Sequence, residues 1–210
     1  VASVEQSNPA GNGRIRLECL TDTSAYASEY IFERTSSLSD NFVKIGKLSP
    51  SKNPFRKFYD NTAKINDQSY YYRVKVADSC GNIVLISDTS RTIYLQVQNN
   101  DDFTNTLSWN DYEGWDAPII GYNIYKTVND VPELSFVNVP FGINTYIDDV
   151  SNYISDGGKF GYVVVAIKDS INIFGSTDTS FSNMALALQD SKLFVPNAFC
   201  PTGYNTLFKP

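Results

Sequence analysis

The sequence predicts an all-β chain that folds as two antiparallel β-sandwiches in tandem. Three observations lead to this fold class: segments recur at an offset near 90 residues, apolar and polar side chains alternate within them, and breaker residues separate them. A period of this length suits a whole domain better than a solenoid repeat. Short alternating strands with turns between them are typical of antiparallel sandwiches.

The duplication is clearest where SYYYRVKVADSCGN, at 69–82, is similar to KFGYVVVAIKDSIN, at 159–172. Tyr72 then matches Tyr162, an offset of 90 residues. Further matches join RLECL (16–20) to TLSWN (106–110), EYIFER (29–34) to GYNIYK (121–126), and FYDN (58–61) to YIDD (146–149). We therefore predict two homologous domains at 1–98 and 99–189, followed by a linker and tail at 190–210.

Within each copy, the side chains alternate with a period of two. Tyr72, Val74 and Val76 fall on one face of the predicted strand, and the intervening residues are Arg73 and Lys75. Another predicted strand alternates Ile15, Leu17 and Cys19 with Arg14, Arg16 and Glu18. Such alternation predicts half-buried strands, and no long stretch has the 3.6-residue period of a helix.

Composition restricts the function classes. The net charge is −6 without any basic run, which argues against nucleic acid, because phosphate binding needs clustered Lys and Arg. The longest apolar run, 162–167, is far shorter than the roughly 20 residues of a membrane-spanning helix. The chain has no histidine, which removes His-based triads and the commonest zinc sites. We predict no enzyme activity and no cofactor.

Each copy resembles a fibronectin type III domain, an immunoglobulin-like sandwich. The resemblance is carried by the Y-x-[FI]-x-[RK] stretches at 30–34 and 122–126, by the Y-x-V-x-[VA] stretches, and by a core position on the second strand. It implies that Tyr72 and Tyr162 are corner tyrosines, whose hydroxyl groups bond back to the backbone near the preceding turn. Trp109 matches the family at the core position, whereas Cys19 stands where the family usually has Trp.

The tail VPNAFCPTGYNTLFKP, at 195–210, resembles the opening of the gliding-motility-associated C-terminal domain, the type B sorting domain of type IX secretion. The matching positions include Pro196, Asn197, Phe199, Pro201 and Gly203, while Cys200 and the shortened turn that follows it depart from the pattern. The resemblance implies a bacterial protein that is secreted or held at the outer cell surface. The chain is expected to contain only the start of this sorting domain.

A disulfide between Cys19 and Cys80 is not expected. In an immunoglobulin-like sandwich, the partner of Cys19 would sit two residues after the corner tyrosine, at Val74. Cys80 lies six residues further on, roughly 20 Å away, whereas a disulfide tolerates only about 7 Å between Cα atoms. We expect Cys19 to be a small buried apolar residue and Cys80 a turn residue.

Acidic pairs offer an alternative in which carboxylates and loop carbonyls bind calcium. The pairs are Asp101–Asp102 and Asp148–Asp149, with Asp156 nearby. Because no calcium-loop motif accompanies them, solvated loop ends are the favoured interpretation, and we predict no metal site. A glycosidase pair is less favoured still, since nothing fixes two carboxylates across a cleft.

The loop at 110–118 carries Tyr112 and Trp115. One hypothesis makes these rings a platform on which sugars stack. The favoured hypothesis has Trp115 fold over the end of the sandwich and stiffen the domain junction.

The two copies differ on their outer face. The third and sixth strands of the first copy carry Glu33, Arg73 and Lys75 there, among other residues. The second copy has an apolar set, and we predict that Tyr125, Val163, Val165 and Ile167 line a contact surface. The tail, a terminal domain or a second copy of the chain could cover it. Replacing both valines with Lys is expected to leave the fold intact.

The leading functional prediction is a pair of non-catalytic spacer and interaction modules in a secreted or surface-anchored bacterial protein. The alternative is an adhesin or glycan-binding module that uses the loop aromatics. An enzyme built on carboxylates is poorly supported.

Overall fold

The computed structural model describes residues 1–6, 13–21, 27–156, 158–171 and 177–189. In these residues, the strands pair antiparallel into four sheets, two in each half of the chain. Each half places a three-stranded sheet against a larger sheet and so forms one sandwich. The all-β prediction is confirmed.

The first sandwich contains strands β1 to β8. They are β1 (Ala2–Glu5), β2 (Arg14–Leu20), β3 (Glu29–Thr35), β4 (Val43–Leu48), β5 (Phe55–Asp60), β6 (Tyr71–Ala77), β7 (Ile83–Ile86) and β8 (Ser90–Arg91). One sheet has the order β1-β2-β5, and the other has the order β4-β3-β6-β7. Strand β8 also pairs with β6, so β7 and β8 are two parts of a broken seventh strand.

The second sandwich repeats this connectivity. Its strands are β9 (Leu95–Asn99), β10 (Thr104–Trp109), β11 (Ile119–Val128), β12 (Val131–Pro140), β13 (Thr145–Asp149), β14 (Gly158–Ile171), β15 (Thr177–Phe181) and β16 (Ala185–Gln189), with a 3₁₀ turn at Ser151–Asp156. The sheets have the orders β9-β10-β13 and β12-β11-β14-β15, and β16 also pairs with β14. Two tandem immunoglobulin-like sandwiches of fibronectin type III connectivity therefore make up the described chain.

The border between the sandwiches differs from the predicted one at residue 98. Strand β9 pairs with β10, with Leu95 opposite Trp109 and Asn99 opposite Asn105. The second sandwich therefore begins at Leu95. The sequence repeats did not show this, because 87–97 is similar to 177–188 near the end of the second copy, which places 95–97 at the end of the first copy.

The cores follow from the alternation along the strands. In the first sandwich, Ile15, Leu17 and Phe32 are buried, and Phe32 stacks on Phe58 with ring centroids 4.4 Å apart. The second core contains more aromatic area and is centred on Trp109 and Tyr122. Burial of such rings is the main source of sandwich stability, because apolar area removed from water contributes about 25 cal/mol per Å².

Tight turns set the register of the hairpins. Asn129 and Asp130, between β11 and β12, both have positive φ angles of 51° and 65°. This conformation matches the right-handed twist of a two-residue hairpin, and Asn and Asp tolerate it better than most residues. Among the described residues, no helix has the length and apolar character needed to cross a membrane.

Candidate functional site

The outer face of the larger sheet in the second sandwich is apolar. Along β14, Tyr162 and Val164 point into the core, so the intervening valines point outward. Side chains opposite each other in register share a face, so this surface covers five strands: β11, β12, β14, β15 and β16. We call this surface the apolar face; it consists of Tyr125, Phe136, Val163, Val165, Ile167, Phe181, Leu186 and Leu188.

Several members of the apolar face are open to solvent. The exposed fraction is 40% for Tyr125, 52% for Phe136 and 64% for Leu188. The rings of Tyr125 and Phe136 lie on paired strands with centroids 5.4 Å apart. Single exposed apolar side chains are common, but a contiguous set of this kind is typical of an interaction surface.

The structure corrects the expected exposure of Val165, which is only 2% exposed although it points outward. It lies in register with Asn123 on β11 and Phe181 on β15. Val163 and Ile167 are half-buried. Replacing Val163 and Val165 with Lys would therefore place one of the two charges in a site closed to solvent. The structure predicts that this double change destabilises the sandwich, contrary to the expectation from the sequence.

Sequence reasoning missed half of the apolar face, namely Phe136, Phe181, Leu186 and Leu188. Leu186 and Leu188 alternate with the buried Ala185 and Ala187. This alternation was a usable signal. Phe136 and Phe181 could not be found in the same way, because only the pairing of β12 and β15 shows which face they share with Tyr125 and Val165.

The first sandwich carries an ion network on the equivalent face. Glu33 accepts from Arg73 Nε at 2.7 Å and from Lys75 Nζ at 2.9 Å. Burial alone would raise the pKa of the Glu33 carboxyl, but these two hydrogen bonds outweigh burial and hold the pKa below its usual value. The polar character predicted for this face, and the contrast with the second sandwich, are present in the structure.

The loop aromatics lie at the junction between the sandwiches. Tyr112 is 2% exposed, and its ring centroid is 4.3 Å from that of Trp115. The Tyr112 hydroxyl accepts from the backbone N–H of Ala2 at 3.4 Å and lies 3.0 Å from Ser90 Oγ. Burial raises the pKa of Tyr112 to about 12. A buried Tyr112 offers no free ring to a sugar, so this geometry favours the junction hypothesis.

Other hydrogen bonds cross the same junction. Ser180 Oγ, on β15, donates to the carbonyl of Ala2 at 2.7 Å, and the Phe181 N–H donates to Ser3 Oγ at 3.0 Å. In addition, the Arg91 N–H donates to the carbonyl of Glu113 at 2.8 Å. The sandwiches therefore share a bonded interface, and no long linker separates β8 from β9.

The corner tyrosines occupy equivalent places, but their acceptors differ from the expectation. Tyr72 donates to Asp60 Oδ2 at 3.0 Å, and Tyr162 donates to Asp148 Oδ2 at 2.7 Å. The sequence resemblance had implied a backbone acceptor. A carboxylate takes that role here. Asp60 is the last residue of β5 and Asp148 is the last but one of β13, so each carboxylate lies at a strand end within reach of its corner tyrosine.

Each of these aspartates also binds a cation from the third strand of its sandwich. Arg34 Nη1 lies 2.6 Å from Asp60 Oδ2, and Lys126 Nζ lies 3.2 Å from Asp148 Oδ2. Burial raises the pKa of the Asp60 carboxyl, but hydrogen bonds from Thr62 and the charge of Arg34 more than compensate, so the pKa lies below its usual value. Burial and the neighbouring Asp60 charge raise the pKa of Tyr72.

Cys19 and Cys80 are both free thiols. Cys80 is exposed in a turn where its N–H bonds to Asp78 Oδ1 at 2.9 Å, as expected. Cys19 is only partly buried, and burial raises the pKa of its thiol. Trp109, at the matching position of the second sandwich, is buried and packs edge-on against Tyr122.

In each acidic pair, one aspartate accepts a hydrogen bond from the residue two positions further along the chain. Asp102 Oδ1 accepts from the hydroxyl of Thr104, and Asp149 Oδ1 accepts from the N–H of Ser151. Within the parts of the chain that the structure describes, no group of three His, Cys, Asp or Glu side chains could hold a metal ion. The side chain of Asp156 and the predicted sorting-domain residues Pro196, Asn197, Phe199, Pro201 and Gly203 lie outside the described residues.

Comparison with family models gave no match, and neither did comparison with curated proteins. Among solved structures, the FN1–FN3 domains of chicken CNTN1 are 11% identical with a TM-score of 0.36, covering 90% of this chain and 65% of that one. A two-domain fibronectin type III segment of chicken tenascin is 11% identical with a TM-score of 0.32, covering 89% and 97%. The fold assignment rests on the strand connectivity described above.

Proposed function

We propose that the chain is a non-catalytic spacer and interaction unit of a bacterial protein that is secreted or held at the outer cell surface. Sandwiches of this architecture commonly serve as non-catalytic modules of cell-surface proteins. The observation that carries the proposal is the hydrogen-bonded junction, in which Ser180 Oγ donates to the Ala2 carbonyl.

A spacer needs a fixed angle between its parts. Buried hydrogen bonds contribute about 1 kcal/mol each, and leaving a buried group unpaired costs more than that. At this junction Ser180 and Tyr112 are both buried and both bonded across the interface. Bending the junction would therefore leave several buried polar groups without partners.

The apolar face supports the interaction part of the proposal. Its exposed rings and leucines lie on the second sandwich, whereas the matching face of the first is held by ion pairs. A partner that covers this face would remove apolar area from water, which is the usual source of affinity at such surfaces.

The sequence of the tail at 195–210 supports the secreted or cell-surface location and the type IX route. The relevant measurement is the amount of the full-length protein at the cell surface, in cells with and without a working type IX system. Equal surface amounts in both would contradict the proposed route.

Nuclear magnetic resonance relaxation tests the spacer. We expect both sandwiches to share one rotational correlation time, appropriate to the 23.5 kDa chain. A variant with Ser3→Ala, Tyr112→Phe and Ser180→Ala removes the cross-junction hydrogen bonds of these three side chains, leaves those of Ser90 and Arg91 to Glu113, and should let the sandwiches tumble more independently. Independent tumbling of the unaltered chain would refute the spacer, and it would leave the binding role of the apolar face open.

A further inference from the structure

We propose that the first sandwich binds a neutral, ring-containing apolar small molecule between its two sheets. The site is a groove of about 630 Å³, which is within the usual range of ligand pockets. We call it the Cys19 groove; its walls include Leu17, Cys19, Tyr30, Val74, Val76 and Leu85. This binding site is separate from the apolar face of the second sandwich.

The second sandwich shows what normally fills this space. Trp109 takes the place of Cys19, and its indole packs edge-on against Tyr122 with ring centroids 5.7 Å apart. Tyr30 takes the place of Tyr122: Tyr30 pairs with Val76, and Tyr122 pairs with Ala166. The first sandwich thus keeps the tyrosine wall and lacks the indole that packs against it.

Burial confirms that the space is open. In the second sandwich Val164 and Ala166 are fully buried, whereas Val74 and Val76, at the matching positions, are only partly buried.

The chemistry of the walls selects the ligand. Aliphatic side chains and a tyrosine ring favour an apolar molecule, and the tyrosine ring favours a partner that can pack edge-on. Arg73 and Glu18, which border the groove, already pair with Glu33 and Lys57. The Val1 ammonium, also at the groove, donates to the carbonyl of Glu18 at 2.7 Å. Burial lowers the pKa of this ammonium and raises the pKa of the Cys19 thiol, so it favours the neutral form of both groups, and an ionic ligand would pay a desolvation cost.

The test is a fluorescence titration of the full chain with N-phenyl-1-naphthylamine, a neutral aromatic probe. We expect saturable emission with one site, displaced by indole. Cys19→Trp supplies the side chain that the second sandwich has and should lower the affinity at least tenfold. Cys80→Trp, in the exposed turn, is the matched control and should bind as the unaltered chain does.

Two further variants separate the competing explanations. If the probe instead binds the apolar face, Phe136→Lys with Leu188→Lys will abolish the signal and Cys19→Trp will not, which overturns the proposal. Tyr26 lies in the segment 22–26, outside the described residues. If that ring occupies the groove, the unaltered chain will not bind and Tyr26→Ala will, which also overturns it.

A measurement on the unaltered chain covers the case in which Cys19→Trp fails to fold. Alkylation by N-ethylmaleimide is followed by mass mapping of the peptides that contain Cys19 and Cys80. We expect saturating probe to slow alkylation of Cys19 at least fivefold and to leave Cys80 unchanged. Equal alkylation of Cys19 with and without probe would overturn the proposal.

Discussion

Tyr162 donates a 2.7 Å hydrogen bond to Asp148, which lies on the neighbouring sheet of the second sandwich. The bond joins β14 to the end of β13, so it holds the two sheets together. Tyr72 and Asp60 make the corresponding bond in the first sandwich. The two tyrosines differ in their second partner. Tyr162 accepts from Asn105 Nδ2 at 2.8 Å, whereas Tyr72 lies next to Arg34, which also donates to Asp60 and Thr62.

That difference predicts unequal costs for removing the two hydroxyl groups. Tyr72→Phe should lower the free energy of unfolding of the first sandwich by about 1.5 kcal/mol, the usual contribution of a hydrogen bond to a charged group. Tyr162→Phe should cost about 3 kcal/mol, because the buried Asn105 amide also loses its acceptor. Urea unfolding followed by circular dichroism measures both.

Tryptophan emission provides the control for these two variants, since both tryptophans, Trp109 and Trp115, lie in the second sandwich. The midpoint of the emission transition should fall in Tyr162→Phe and stay nearly constant in Tyr72→Phe. Equal effects of the two changes on this midpoint would contradict the assignment of the two bonds to separate sandwiches.

The Asp60 carboxylate predicts a pH dependence of stability. Its pKa is lower in the folded chain than the value of about 3.9 for an unfolded chain, so its stabilising effect is complete above that pH. The effect is lost as the pH falls through the folded pKa. The unaltered chain should be more stable than Asp60→Asn. The difference in unfolding free energy should be constant between about pH 5 and 8 and should shrink below about pH 4. A difference that grows on acidification would show that the pKa is raised instead.

The equivalent core residues Cys19 and Trp109 should lose unequal amounts of stability when each is replaced by Ala. Trp109→Ala should cost about 3 to 5 kcal/mol, because a large buried ring leaves a cavity. Cys19→Ala should cost less than about 1 kcal/mol, since the thiol already borders an open groove. Thermal unfolding by circular dichroism compares the two, and a large loss in Cys19→Ala would mean that the groove is filled.

The apolar face predicts that neighbouring positions respond differently to a charge. Val165→Lys should lower stability by about 3 kcal/mol or more, because the charge enters a site that is closed to solvent. Phe136→Lys should cost about 1 kcal/mol or less, since only a half-exposed ring contact with Tyr125 is lost. Urea unfolding of the two single variants checks this order.

The sequence was sufficient for features that depend on local alternation and on the repeat. Tyr72, Tyr162 and Trp109 are buried, and Cys80 lies in a turn. It was not sufficient for features set by pairing between distant strands. The burial of Val165 depends on neighbours from β11 and β15, and the Asp acceptors of the corner tyrosines depend on where β5 and β13 end.

The Cys19 groove shows the same limit. The sequence analysis predicts that Cys19 is buried, at a position where the family that the first copy resembles usually has Trp. How far neighbouring side chains cover such a small residue depends on how closely two sheets approach each other, which no local pattern reports. In the described residues the space is left open.

Strand β7 has a further consequence. It ends its sheet, and all of Ile83, Val84, Leu85 and Ile86 are exposed. One backbone edge of this aliphatic strand is therefore available to any other extended chain, which is the usual starting point of aggregation through strand addition. Asp78 and Asp88, on either side of β7, place negative charges next to that edge. At low ionic strength the repulsion between these charges on two copies of the chain acts over a longer distance, so such conditions should keep the protein monodisperse.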